Sequence, residues 1–142
     1  MKIRVIDYGY KELNLLPVRA HYNDAGADVM SPIDVVVPAH SAVKIPLKLG
    51  LRIPDGFMLC NYPKSGMSSK GICSQIPPID SGYTGEINAI LTNVTDNDFQ
   101  IEKGQKVAQL VMTQVLLPEF VPEEDMPAQD ARGNSGFGST GK

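Results

Sequence analysis

The chain has 142 residues, 42% of them hydrophobic, and a formal net charge of −3. That length predicts one domain able to bury a sizeable core without disulfides or metals. The charge offers no global attraction to nucleic acid or anionic membrane, no run approaches transmembrane length, and "MKIRVIDYGY" does not read as a signal peptide. Neither a nucleic-acid nor a membrane partner is expected, and a cytoplasmic location is the default.

Glycine and proline punctuate the chain at short intervals. Between them lie strand-like runs: "KIRVIDY", "IDVVVPA", "AVKIPLKLGLRI", "FMLCNY", "GEINAILTN" and "KVAQLVMTQVLL". In the third, Val43, Ile45 and Leu47 alternate with Lys44, Pro46 and Lys48. This period of two marks a strand with one buried face, and Pro46 puts it at an edge or a bulge. Only "KSGMSSKG" has room for a helical turn. Many short strands with turn signals predict a β-sandwich, barrel or jelly roll. Cys60 and Cys73 are far apart, and His21 and His40 have no ligand spacing around them. No zinc pattern results, and free, mostly buried thiols are expected. There is no internal repeat, heptad or dinucleotide-binding fingerprint. The terminal "GSTGK" is no P-loop, because its first glycine is misplaced and no helix follows.

Five stretches carry polar chemistry. In "NDAGADV", Gly26 allows a tight bend and Asp28 enters the next strand; the plain alternative is a turn aspartate. In "YPKSGMSSKG", a cation, a hydroxyl and a glycine are adjacent, which suits phosphate but also an ordinary loop. In "PPIDSGYTGE", Asp80 and Tyr83 flank Gly82 before a strand, and the prolines stiffen the approach; the plain alternative is a tight hairpin. In "KGQKVAQLV", Gly104 makes a turn, and Gln109 among Val107, Leu110 and Val111 needs a partner. The last, "RGNSGFGSTGK", has glycines that let backbone N–H groups converge on an anion. It adds Arg132 to grip phosphate and Phe137 to stack, against the alternative of a frayed terminus. Before it, "PEFVPEEDMPAQDA" holds three prolines and five carboxylates and reads as a solvated acidic linker. Its residues 118–131, extended, span roughly 50 Å.

In order, "AGADV", "PKSGMSSKG", "IDSGYTGEI", "KGQKVAQLV" and "RGNSGFGSTG" resemble the five motifs of the trimeric dUTP diphosphatase (dUTPase) family. The resemblance covers nearly the whole chain. It implies an all-β, distorted jelly roll (a β-clip) with a flexible C-terminal arm. The expected organisation is a catalytic domain over 1–117, the linker over 118–131, and an arm over 132–142 that closes an active site. The implied reaction is Mg²⁺-dependent hydrolysis of dUTP to dUMP and pyrophosphate, which keeps uracil out of DNA and supplies dUMP for thymidylate synthesis. The implied assembly is a homotrimer with active sites shared between subunits, the arm arriving from another subunit.

By the same resemblance Asp80 is the general base, directing a water onto the α-phosphorus. Tyr83 lies under the deoxyribose and leaves no room for a 2′-hydroxyl. Backbone groups around Gln75, Pro78 and Ile79 read the uracil, and Asn88 can face the nucleotide. Lys64, Ser65, Gly66, Gln109 and Arg132 hold phosphate oxygens. Gly136, Gly138, Ser139 and Thr140 close over the γ-phosphate, and Phe137 covers the base. Asp28 holds a water of the Mg²⁺ ion. The chain departs from the family pattern at Lys64, where arginine is usual, at Ser74 and Pro77 in a shortened hairpin, at Gly82, and at Ser135. Two other readings compete. A dCTP deaminase relative would release ammonia from dCTP, and a nucleotide-gated binding module of the same fold would regulate a partner protein.

Overall fold

The computed structural model of the protein describes residues 1–123. In chain order its elements are β1 (Arg4–Asp7), α1 (Tyr10–Leu13), β2 (Ala27–Met30), β3 (Val35–Val37), β4 (Ala42–Pro46), β5 (Leu49–Arg52) and β6 (Phe57–Tyr62). There follow α2 (Ser65–Ser68), β7 (Ile72–Ser74), β8 (Pro78–Ile79), β9 (Asn88–Asn93), β10 (Phe99–Ile101) and β11 (Lys106–Gln114). All strand pairs are antiparallel. The largest sheet has the order β2-β11-β6-β8, a second has β4-β9-β7, and β1–β5 and β3–β10 form two-stranded ribbons. This is the all-β, distorted jelly roll that the family resemblance implies, and one of the three all-β architectures that the turn-punctuated strands predict. No helix among the described residues is long and apolar enough to cross a membrane.

Alternation decides the core. In β9, Ala89, Leu91 and Asn93 are buried while their neighbours are half-exposed. They join Val29, Val37, Ile45, Leu47, Leu49, Ile72, Ile101 and Val107 in one cluster or beside it. Each fully buried branched side chain contributes about 1.5–3 kcal/mol relative to an exposed one. The predicted period of two in β4 is present, with Ile45 buried between exposed Lys44 and half-buried Pro46. Pro46 sits at the end of an edge strand, opposite Asn88, where its missing N–H costs no sheet hydrogen bond. Cys60 is buried, Cys73 half-buried, and both are free.

Three expectations fail locally. A second helical turn exists at Tyr10–Leu13, bounded by Gly9 at φ 117° and Asn14 at φ 53°. Four residues are too few to show helical periodicity. The run from Ala42 to Ile53 is two strands, because Lys48 takes φ 60°. There the Lys48 carbonyl accepts the N–H groups of Tyr8 and Tyr10 at 3.1 and 3.0 Å. Last, β11 stops at Gln114 rather than Leu117, and Leu116 and Leu117 are exposed.

Candidate active site

Pro77 and Pro78 have no N–H to give a sheet, so β8 is a two-residue edge strand, paired to β6 through Leu59–Ile79 and Cys60–Pro78. The chain then turns, with the Tyr83 N–H donating to the Asp80 carbonyl at 3.1 Å. Tyr83 is pinned twice. Its hydroxyl donates to the Glu86 carbonyl at 2.9 Å, and its ring lies on Gly85, where an added methyl would stand 2.7 Å from Cζ. A cleft of about 250 Å³ opens here, and Pro78, Ile79, Asp80, Tyr83 and Asn88 all line it. Among the described residues no ion pair engages the Asp80 carboxylate. Asn88 turns its amide onto the Glu86 carbonyl at 3.0 Å.

The cleft also takes in Lys44, Asn61, Glu86, Ile87 and Ile90, which the motif reading passed over. A signal for Asn61 existed: it is a polar residue inside the apolar run "FMLCNY", the same feature that singles out Gln109. Gln75 does not line the cleft; its amide donates to Thr92 Oγ1 at 2.9 Å.

A second cluster forms around Asp28. Lys64 engages Asp28 Oδ1, and the Lys106 ammonium lies 2.8 Å from Oδ2. Burial pushes the Asp28 carboxyl up, but the hydrogen bonds and charges of Lys106 and Lys64 outweigh it and hold the pKa below its ordinary value. Lys64 is the residue that enters α2; exposed Ser65 and Gly66 follow, and buried Met67 anchors the turn. Gln109 stands opposite Asp28 on one side and Tyr62 on the other. Its amide finds the partner its burial demands, donating to the Pro63 carbonyl at 3.1 Å. Gly26 does not have the positive φ of a left-handed bend; it makes room for Gln109, whose Cβ would lie 2.9 Å from an added methyl. Lys106 was missed from sequence. Its contact depends on a bulge between Lys106 and Ala108, and bulges leave little trace in composition.

β6 joins the two groups, since Asn61 lines the cleft and Lys64 lies three residues further on. Asp28, Lys64, Ser65, Gly66 and Gln109 therefore form one set, and Asp80, Tyr83, Pro78, Ile79 and Asn88 another. Arg132, Gly136, Phe137, Gly138, Ser139 and Thr140 lie outside the described residues.

The sequence matches the dUTPase family over residues 14–141. The chain belongs to the dUTPase family. The deoxyuridine 5'-triphosphate nucleotidohydrolase of Paramecium bursaria Chlorella virus 1 is 40% identical over 126 residues, covering 88% of this chain and 89% of that protein. The enzyme of the same name from Clostridium tetani is 37% identical over 145 residues, covering 100% and 97%. Among solved structures, a point mutant of the Staphylococcus bacteriophage 80alpha dUTPase with dUpNHpp has a TM-score of 0.87 at 27% identity, over 99% of both chains. A mutant dUTPase from phage phi11 of S. aureus, described with a structural Mg(II) ion, has a TM-score of 0.79 at 25% identity, over 88% of this chain and 98% of that one. The chain is built from short antiparallel strands, and the five motif stretches from "AGADV" to "RGNSGFGSTG" fall within the matched span.

Proposed function

We propose that the protein hydrolyses dUTP to dUMP and pyrophosphate in the cleft bounded by Asp80 and Tyr83. The activity is that of its family and of its named relatives. The observation that carries the residue assignment is the convergence of Asp80 and Tyr83 on one cleft. Asp80 is the general base: an exposed carboxylate without a cationic partner among the described residues keeps its lone pairs for a water. That water attacks the α-phosphorus in line and pyrophosphate leaves. Tyr83, held by Gly85 and Glu86, gives the sugar a fixed flat surface.

Lys64, Ser65, Gly66 and Gln109 hold the phosphates. Lys64 carries charge without the planar fork of arginine, so it acts as a point charge. Among the described residues no three His, Cys, Asp or Glu converge as a metal cage. The site fits an ion carried on the triphosphate with its own waters, as Mg²⁺ prefers. Asp28 has about four acceptor positions and two lysine partners, so it retains room to accept a metal-bound water. Mg²⁺ there supplies charge neutralisation on the phosphate oxygens.

The working unit in this reading is a homotrimer with shared sites. Leu116, Leu117, Phe120 and Val121 are 74–92% exposed after β11, which supports burial of this segment against another copy. The linker 118–131 then delivers the arm 132–142, with Arg132, Phe137, Ser139 and Thr140, to a neighbour's cleft. Pyrophosphate release measured for dUTP, UTP, dCTP and dTTP, with and without Mg²⁺, tests the proposal. Mg²⁺-dependent turnover of dUTP well above the others is expected. Equal turnover of dUTP and dTTP would count against a narrow base pocket.

A further inference from the structure

We infer that Asn61 is a base-reading residue of this chain, its side-chain Oδ1 accepting the N3–H of uracil from the wall of the cleft. The inference rests on the reading that dUTP binds there. Asn61 is 1% exposed. Its Nδ2 donates to the Asn88 carbonyl at 2.9 Å. That bond settles which way the amide points, because the flipped amide would set oxygen against oxygen. Oδ1 is then left as a buried acceptor with no partner among the described residues, in a side chain that lines the cleft.

Such an atom is costly, since an unsatisfied buried acceptor carries its full desolvation penalty. The protein shows how it treats a buried asparagine with no ligand to meet. Asn93 is also fully buried, and it donates to the carbonyls of Val37 and Asn97 while its Oδ1 accepts from the N–H and hydroxyl of Thr95. Asn61 Oδ1 has no such partner among the described residues, and it belongs to a side chain in the wall of the cleft.

The neighbouring wall asks for the same chemistry. Pro77 and Pro78 line the cleft and have no N–H, so that stretch can offer a base only carbonyl acceptors. A ligand edge that matches must present a donor, which is N3–H in uracil and the exocyclic amine in cytosine, so the acceptor facing N3 is what separates the two. Uracil presents N3–H between two carbonyls, whereas cytosine has an acceptor at N3. Oδ1 facing that position attracts the first and repels the second. A site whose buried polar group is left unpaired by the wrong substrate discriminates strongly.

The test begins with the wild-type protein, comparing kcat/KM for dUTP, dCTP and N3-methyl-dUTP. Rejection of N3-methyl-dUTP is expected. The variant Asn61→Leu keeps the volume and removes the acceptor. Its kcat/KM for dUTP should fall at least about tenfold, chiefly through KM, and the ratio of dUTP to dCTP should shrink by the same factor. Equal losses for dUTP and dCTP would mark Asn61 as merely structural and overturn the inference, as would an unchanged ratio. If Asn61→Leu does not fold, the wild-type comparison decides, because turnover of N3-methyl-dUTP equal to that of dUTP overturns it. Wild-type protein that fails to turn over dUTP at all would remove the proposed function and this inference together.

Discussion

Gly26 and Gln109 leave no space between them: a methyl on Gly26 would stand 2.9 Å from both Cβ and Cδ of Gln109. The Gln109 amide is meanwhile committed to the Pro63 carbonyl, at 3.1 Å. The contact locks β2, β11 and the end of β6 together just before Lys64. Cβ lies next to the backbone and cannot swing aside, so Gly26→Ala must push a strand. We expect a loss of about 1–3 kcal/mol, the range for overpacking a filled site, read as a lower thermal midpoint. An unchanged midpoint would mean that β2 shifts freely.

The lysines around Asp28 make stability depend on pH in one direction. The folded-state pKa is below the ordinary 3.8, with burial opposing and Lys106 and Lys64 prevailing. The contribution is therefore complete above the unfolded pKa and is lost as pH falls through the lower folded one. Asp28→Asn should cost about 1–2 kcal/mol near neutral pH, between the values for exposed and buried pairs. The gap between variant and wild type should close in acid, as pH falls through the lowered folded-state pKa. Denaturation curves from pH 7 downward measure this, and a gap that stays constant would assign the loss to packing.

The strands were legible because apolar alternation and glycine or proline punctuation are local signals, as in β4 and β9. The pairing of Asp80 with Tyr83 was legible for the same reason, since both lie in one four-residue turn. What stayed hidden depends on distant chain. Lys106 reaches Asp28 only through a bulge, and Asn61 lines the cleft only because β8 pairs beside it. The left-handed turn at Lys48 that splits one apolar run has no glycine to announce it.

Asp80 carries the chemical step in the proposed reaction. Asp80→Asn preserves shape and removes proton acceptance. Turnover of dUTP should fall by about 10²–10⁴-fold, the usual share of a general base, while a non-hydrolysable dUTP analogue should bind as before. The group is exposed at a turn, so the thermal midpoint should hardly move. Near-normal turnover would take the base role from Asp80.

The proposed shared site makes a sharper prediction, because it can be tested with two variants that are each expected to be inactive. One is Asp80→Asn with its arm intact. The other ends before Arg132 and keeps Asp80. Where base and arm of a site come from different subunits, a mixed trimer can hold a good base from the truncated chain and a good arm from the substituted one. With equal amounts and random assembly, about a quarter of the sites are complete, since two independent choices each succeed half the time. Where both come from one subunit, no mixture completes a site. The two chains must be unfolded and refolded together, and mass analysis should establish that mixed trimers formed. Activity near a quarter of wild type is the expected result, and mixed trimers without activity would confine each arm to its own subunit's cleft.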